Sequence, residues 1–167
     1  MGAGFHFKRP RRLLGLDFGA SSFKVVELMR IGAEVRLTGF DASPVGDDPE
    51  RALTELLQRG GYASRDVALA VGGRSACVRY ASFPRMPQDE LLEAVRLESD
   101  RLLPFEDTAI TLDCQELTPS RGASDEETVP VLVAACRTDF VEERVDAVLR
   151  AGFTPTAVDV DIFGLVN

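Results

Sequence analysis

Apolar and polar positions along the chain predict three strands first and a helix after them. The three strand-like runs are joined by connections of only a few residues, which makes consecutive strands antiparallel. The helical segment has leucines at helical spacing, an aspartate suited to the N-cap, a proline at the first position and two glycines at its end. The predicted elements are strands at 13–18, 23–30 and 35–40, a helix from Asp48 to Gly60, and a buried strand at 67–71. Their order, β-β-β-α-β, predicts an α/β fold.

The rest of the chain predicts the order strand-helix-strand-strand-helix, followed by a last strand. The strands are expected at 77–83, 109–117, 129–136 and 158–163, and the helices at 87–103 and from Asp139 to Gly152. Asp139 and Glu142 are three residues apart, as in a capping box, and Pro104 ends the earlier helix. The polar loop at 118–128 is expected to be flexible, with its acidic run at 125–127 as a solvated hairpin tip.

Composition is that of a globular protein. The chain has 167 residues, of which 45% are hydrophobic and 28% charged. No apolar run approaches the roughly 20 residues that span a bilayer. The first twelve residues also lack the apolar stretch of a signal peptide. We therefore expect an intracellular protein that does not cross a membrane.

The charge distribution is uneven. The net charge is −8, and the first twelve residues hold four arginines and lysines and no acid, so the remainder carries −12. An acidic body argues against nucleic acid as a partner. The basic tail, residues 1–12, is predicted to be a solvated terminus, with contact to anionic lipid as the alternative.

The cysteines and the histidine exclude two kinds of site. Cys77, Cys114 and Cys136 are widely spaced, and His6 in the tail is the only histidine. This pattern does not suit structural zinc or a histidine-dependent hydrolase. We expect three small buried thiols.

The segment 13–28, LLGLDFGASSFKVVEL, carries the candidate chemistry. Asp17 ends one strand, a turn of small residues follows, and Lys24 lies on the next strand. Backbone N–H groups, the hydroxyls of Ser21 and Ser22 and the Lys24 ammonium can all donate to phosphate oxygens. The Asp17 carboxylate suits a magnesium ion or its water shell. The alternative is an ordinary hairpin turn, since glycine and aspartate both tolerate turn dihedrals.

Four segments together resemble the N-terminal part of the PilM family of type IV pilus assembly proteins, which are actin-like and related to the division protein FtsA. They are residues 15–28, residues 90–105 with their Pro-Phe ending, residues 131–135, and residues 152–155 leading into 158–161. The resemblance runs from about 13 to 165, nearly the whole chain.

The resemblance implies an actin-like first lobe with a ribonuclease-H-like core at 13–73 and 154–167. A small α+β subdomain is inserted at 74–153. Family members clamp ATP and magnesium between this lobe and a second one, which this sequence lacks. The chain is then either a truncation or a natural half-length protein. We expect no tightly bound nucleotide, and no activity, from this chain alone.

The resemblance also implies roles for individual residues. Asp161 resembles the residue that orients the attacking water, with Asp159 as a second candidate. The alternative is that both aspartates cap a helix starting near Ile162. The phosphate loop would comprise Asp17, which also holds magnesium through water, and Gly19, Ser21, Ser22 and Lys24.

The implied function is a cytoplasmic scaffold of type IV pilus assembly, or of a related secretion machine, at the inner membrane of a bacterium. It would bind the cytoplasmic tail of a PilN-like membrane protein, and pilus motor components are further candidate partners. Two other classes remain open. One is an enzyme or division protein of the same superfamily, such as an ATPase, a sugar kinase or an FtsA-like protein. The other is a half-length competitor of an intact homologue.

Overall fold

The structure is a computed structural model that describes residues 11–105, 109–117 and 127–165. Within these ranges the elements follow the predicted order. Two short 3-10 helices, Gly73–Ser75 and Asp161–Leu165, accompany the longer elements. The strands are β1 (Arg11–Phe18), β2 (Ser22–Ile31), β3 (Glu34–Pro44), β4 (Asp66–Val71), β5 (Ala76–Pro84), β6 (Ile110–Glu116), β7 (Thr128–Arg137) and β8 (Thr154–Val160). The helices are α1 (Pro49–Arg59), α2 (Gln88–Leu97), α3 (Ser99–Leu102) and α4 (Thr138–Arg150).

The chain forms two compact units. The first comprises residues up to Ala70 and from Glu143 onward, and the second comprises Val71–Glu142. The predicted subdomain bounds, 74–153 for the insert, stay a prediction. The second compact unit ends at Glu142, before the predicted end of the insert at 153, because Val148, Ala151 and Phe153 lie in the core of the first unit.

The first unit is built on a five-stranded sheet in the order β3-β2-β1-β4-β8. β1 pairs antiparallel with β2, and β2 with β3, as predicted from the short connections. β4 runs parallel to β1. Alternate residues of β1, β2 and β4 pack against leucines of α1 and against α4. This core includes Leu14, Leu16, Val25, Leu53, Leu56, Leu57, Val67, Leu69 and Val148.

The caps of α1 lie where the sequence predicts them. The Asp48 side chain accepts a hydrogen bond from the Arg51 backbone N–H at 3.0 Å. Pro49 occupies the first helical position. Beyond the end of the helix, Gly61 has a φ of 60°, a conformation that glycine adopts without a steric penalty. These local signals therefore fix both ends of the helix.

A buried carboxylate joins three parts of the first unit. Glu27 on β2 is only 4% exposed. It accepts hydrogen bonds from Arg12 Nη1 at 2.8 Å, from Thr38 Oγ1 at 2.7 Å, and from the backbone N–H groups of Ala63 and Ser64 at 2.8 and 3.0 Å. Burial alone would raise the pKa of Glu27. The hydrogen bonds from Thr38, Ser64, Ala63 and Arg12 outweigh burial, and the pKa lies below its ordinary value.

The predicted basic tail, residues 1–12, is too long, because Arg12 pairs with Glu27. Strand β1 begins at Arg11, two residues before the predicted start. Arg12 lies within the strand and is tied to Glu27, so Arg11 and Arg12 do not belong to a solvated terminus.

The second unit packs a three-stranded antiparallel sheet, in the order β5-β7-β6, against α2. Leu91 and Val95 of α2 share a core with Val131 and Val133 of β7. All three cysteines are free and buried, as predicted. Most of the predicted loop at 118–128, including two residues of its acidic run, lies outside the described residues.

The helix predicted at 87–103 is interrupted. It divides into α2 and α3 at Glu98, which has a φ of −96° and a ψ of 2°. The Ser99 hydroxyl donates to the carbonyl of Arg96 at 2.8 Å. A serine side chain that bonds nearby backbone competes with the helical ladder, which accounts for the break.

The last strand is displaced from its predicted place. β8 begins at Thr154 and ends at Val160, whereas the pattern predicted 158–163. The Thr154 N–H donates to the Arg65 carbonyl at 2.8 Å, and Thr156 Oγ1 donates to the Val67 carbonyl at 3.2 Å, so the strand lies along β4. Pro155 is tolerated because β8 is an edge strand.

Candidate phosphate-binding turn and adjoining groove

The β1–β2 turn brings two of the predicted site residues together. Asp17 and Lys24 are direct partners across the two strands. The Lys24 ammonium donates to Asp17 Oδ2 at 2.9 Å, and the two side chains are 52% and 46% exposed. An ion pair this exposed contributes only about 0–1 kcal/mol to stability. Both groups are therefore accessible to a ligand at small cost.

Gly19 is required by the shape of the turn. A Cβ atom on Gly19 would lie 2.6 Å from the Ser22 carbonyl oxygen, closer than real Cβ contacts come. The same position is 3.6 Å from Asp17 Oδ2 and 3.7 Å from Lys24 Nζ. The turn therefore passes directly beside the ion pair, and a Cβ at position 19 would lie within van der Waals contact of both charged groups.

The remaining turn residues are held by a neighbouring segment. The Ser21 carbonyl accepts a hydrogen bond from the Val45 N–H at 3.0 Å. Ser21 is exposed and Ser22 begins β2. The turn therefore offers a hydroxyl, a lysine ammonium and a carboxylate within a few residues. This set suits a phosphate with a hydrated magnesium ion, and it also suits an ordinary hairpin end.

Asp161 lies after β8, apart from the β1–β2 turn. It begins the 3-10 helix that follows β8, and β4 separates β8 from β1. Asp159 Oδ1 accepts a hydrogen bond from the Val160 N–H at 2.7 Å. The helix expected near Ile162 is present as this five-residue 3-10 helix. A water-orienting role for Asp161 stays a prediction.

Across the described ranges, no group of three or more His, Cys, Asp or Glu side chains gathers in a way that could hold a metal ion. A magnesium ion at the turn would therefore rest on Asp17, water and the phosphates themselves.

A groove of about 680 Å³ lies in the first unit beside the turn. We call it the α1–α4 groove, because the start of α1 and one side of α4 form its walls. The turn contributes Phe18, Gly19 and Ala20. Phe18 and Phe23 meet edge to face with centroids 5.5 Å apart, and the Arg144 guanidinium lies 5.4 Å from the Phe18 ring centroid. This cation–π contact ties α4 to the turn.

The groove was not predicted from the sequence. Its lining comes from residues 18–53 and 143–150, which are far apart in the chain, so no local pattern marks it. Two weak signals were available. They are the consecutive acids Asp47 and Asp48 before α1, and Phe18 next to the candidate Asp17.

An actin-like α/β lobe is defined by the sheet order, by the turn, and by the insertion of the second unit into the chain at Val71–Glu142. The chain belongs to the family described as type IV pilus assembly protein PilM, whose sequence model matches residues 15–167. The family resemblance read from the sequence is therefore confirmed.

Solved structures that resemble the chain include the following two. One is the PilM-PilN type IV pilus biogenesis complex, with 31% identity and a TM-score of 0.78 over 90% of this chain and 48% of that chain. The other is the cytoplasmic domain of EpsL, an inner-membrane component of the type II secretion system of Vibrio cholerae. It has 15% identity and a TM-score of 0.57 over 91% of this chain and 58% of that chain. The EpsL likeness concerns the fold alone. This chain thus spans about half the length of the chains it matches.

Helices in the described part of the chain are all too short or too polar to cross a membrane.

Proposed function

We propose that the chain acts in a cytoplasmic scaffold of type IV pilus assembly that binds the cytoplasmic tail of a PilN-like inner-membrane protein. The observation that carries this proposal is the 31% identity to a chain of the PilM-PilN complex over 90% of the present sequence. Membership of the PilM family supports it.

The α1–α4 groove gives the proposal a physical basis. Its volume of about 680 Å³ can take a few side chains of an extended peptide. Peptide docking needs no second lobe, whereas nucleotide clamping does. Tail binding is therefore the function that the described groove supports.

The test is a titration with a labelled peptide of the cytoplasmic tail of a PilN-like inner-membrane protein from the same organism. We expect saturable binding of the peptide, and no comparable binding of a scrambled peptide of the same composition. Fluorescence anisotropy with the full chain measures both. Equal binding of the two peptides would refute the proposed function.

A second part of the proposal concerns nucleotide. In a protein with a second lobe, ATP phosphates would lie against the turn, with Lys24 donating to them and Asp17 holding hydrated magnesium. Gly19, Ser21 and Ser22 would supply the close backbone and the hydroxyls. Asp161 is proposed to orient the attacking water. The exposed Asp17–Lys24 pair and the close approach at Gly19 support this arrangement.

The nucleotide part is tested in a chain joined to a second lobe. Lys24→Ala removes a charge-assisted contact to phosphate and should weaken ATP binding by about 1.5–3 kcal/mol. Asp17→Ala should weaken binding more in the presence of magnesium than in its absence. Arg36→Ala, on exposed β3, is the control. If both site variants bind ATP as tightly as the unmodified protein, the turn is only structural.

A further inference from the structure

The sheet of the first unit is covered by helices on one face and is exposed on the other at β1–β3. Leu14, Leu16 and Val25 on the covered face are at most 2% exposed, and they pack with α1 and α4. Neighbouring residues of a strand point to opposite faces, so the residues between these lie on the other side. We call that side the outward face of β1–β3 and define it by Arg11, Leu13, Val26, Leu28, Arg30, Val35, Leu37 and Phe40.

Large apolar side chains are concentrated on this outward face. Six of the eleven large hydrophobic residues that are exposed in the described part of the chain belong to β1, β2 or β3. Leu13, Leu28 and Leu37 form one row across the three strands, and Phe40 pairs with Val26 in the adjoining row. Leu37 and Phe40 are 63% and 65% exposed. A contiguous apolar patch of this kind marks a surface that contacts a partner or a membrane.

Two arginines face each other at one end of the patch. Arg11 and Arg30 are direct partners across β1 and β2, and both are exposed. Arg30 Nε donates to the Gly32 carbonyl at 3.2 Å, and neither arginine forms an ion pair among the described residues. Like charges directly opposite each other on a sheet repel. An anion that lies over both guanidinium groups would remove this repulsion and accept hydrogen bonds from both.

Carboxylates are scarce beside these arginines. Within the three described strands, Asp17 is the only outward-pointing acid, and it pairs with Lys24 at 2.9 Å. On the neighbouring strand, Asp66 begins β4 on the outward side. The sequence also places Lys8 and Arg9 just before β1. The outward face of β1–β3 therefore carries a net positive charge on a chain whose net charge is −8.

We propose that the outward face of β1–β3 docks on an anionic phospholipid bilayer. Headgroup phosphates lie over Arg11 and Arg30, and the side chains of Leu28, Leu37 and Phe40 enter the boundary between headgroups and acyl chains. A bilayer surface suits both features, because it presents anions beside apolar carbon over an area as wide as the sheet. A second copy of the chain suits the face less well, since it would bring arginines against arginines.

The proposal goes beyond the proposed function, and it is tested without the tail peptide. Each basic residue near an anionic surface raises the lipid affinity about fivefold, so two arginines give a weak and reversible contact. A weak contact is enough for a chain that the tail of a membrane protein already holds near the bilayer, because a tether raises the effective concentration.

The first test removes the two arginines. Cosedimentation of the full chain with phosphatidylcholine vesicles, with and without phosphatidylglycerol, measures lipid binding. Arg11→Gln combined with Arg30→Gln should lower the affinity for the anionic vesicles about 25-fold at low salt. The matched control combines Arg74→Gln with Arg96→Gln, because these are exposed arginines of the second unit. The control changes the net charge equally and should bind within about twofold of the unmodified chain.

The second test reports which surface meets the lipid. The chain has no tryptophan, so Phe40→Trp places a single reporter on the outward face. Tyr80→Trp is the control, because Tyr80 is 75% exposed and lies in the second unit. With anionic vesicles that contain brominated phosphatidylcholine, emission of the Phe40→Trp chain should shift to the blue and be quenched, whereas emission of the Tyr80→Trp chain should change little. Thermal unfolding followed by circular dichroism shows that each variant is folded.

Three results with vesicles would overturn the proposal. They are equal binding with and without phosphatidylglycerol, an equal loss in the arginine variant and its control, and equal quenching of the Phe40→Trp and Tyr80→Trp chains. A failed tail titration leaves this inference standing, and failed vesicle binding leaves the proposed function standing.

Other occupants of the face would give different results, each of which also overturns the proposal. A blue shift of the Phe40→Trp emission that appears without vesicles as the protein concentration rises would assign the face to a second copy. Binding of poly-glutamate as tight as that of anionic vesicles would assign it to an acidic protein. Loss of vesicle binding when the chain is joined to a second lobe would show that this lobe covers the face.

Discussion

Replacing Glu27 by glutamine tests the buried carboxylate of the first unit. The substitution keeps the size of the side chain and removes its charge. One amide oxygen can still accept the backbone N–H groups of Ala63 and Ser64, which now share Glu27 Oε1. The amide nitrogen would instead face Arg12 and Thr38, both of which donate to Oε2 in the wild-type structure.

The expected cost follows from these contacts. A hydrogen bond to a charged group contributes about 1.5–3 kcal/mol, and breaking a buried ion pair costs about 3–5 kcal/mol. Arg12 is 34% exposed and can turn toward water, which reduces the loss. We therefore expect Glu27→Gln to lower the free energy of unfolding of the first unit by about 2–3 kcal/mol at pH 7.

Tyrosine fluorescence can report on this unit alone. The chain has two tyrosines and no tryptophan. Tyr62 packs against the core of the first unit, whereas Tyr80 lies in the second. In a Tyr80→Phe background, urea unfolding followed by Tyr62 fluorescence therefore measures the first unit. Glu34→Gln is the control, because Glu34 is exposed and, among the described residues, pairs with Arg36 on the same strand.

The dependence on pH has a definite sign. The pKa of Glu27 is lowered from 4.5 in the folded state, so its contribution is fully present above that value and is lost as pH falls through the folded pKa. The difference between wild type and Glu27→Gln should therefore shrink between pH 7 and pH 3. A loss no larger than that of the Glu34 control at pH 7, or a difference that grows at acid pH, would refute the reasoning.

Three further outcomes are expected. Gly19→Ala places a Cβ 2.6 Å from the Ser22 carbonyl and should destabilise the first unit by about 1–3 kcal/mol. The control Gly164→Ala meets nothing within 4 Å and should be neutral. Equal urea midpoints for the two variants would contradict this expectation. Asp48→Ala removes the N-cap of α1 and should lower the free energy of unfolding by about 1 kcal/mol, whereas Asp47→Ala should lower it little. Equal melting temperatures for the two variants would show that the Asp48 cap does not stabilise the fold. The chain alone should bind magnesium-ATP weakly or not at all, because a single turn leaves the phosphates in water, and calorimetry showing micromolar affinity would contradict this.

The sequence by itself determined the order of the elements and many of their ends. Apolar runs bounded by turn residues marked most strands, alternation with a period of two marked the strand at 77–83, and leucines at helical spacing marked α1. Asp48 and Pro49 marked the start of α1, since capping depends on residues only a few positions apart. The sequence also placed Asp17 at the end of one strand and Lys24 on the next, whereas their pairing across the two strands is seen only in the structure.

Tertiary structure decided what depends on residues far apart in the chain. The strand character of residues 154–157 comes from pairing along β4, which no local pattern encodes. The role of Arg12 depends on Glu27, whose burial arises only when β2, β3 and the segment at 63–64 meet. The α1–α4 groove forms because α4 returns to the first unit and brings Arg144 over Phe18. Sequence periodicity reports which face of an element is buried, whereas partner identity is set by packing between distant segments.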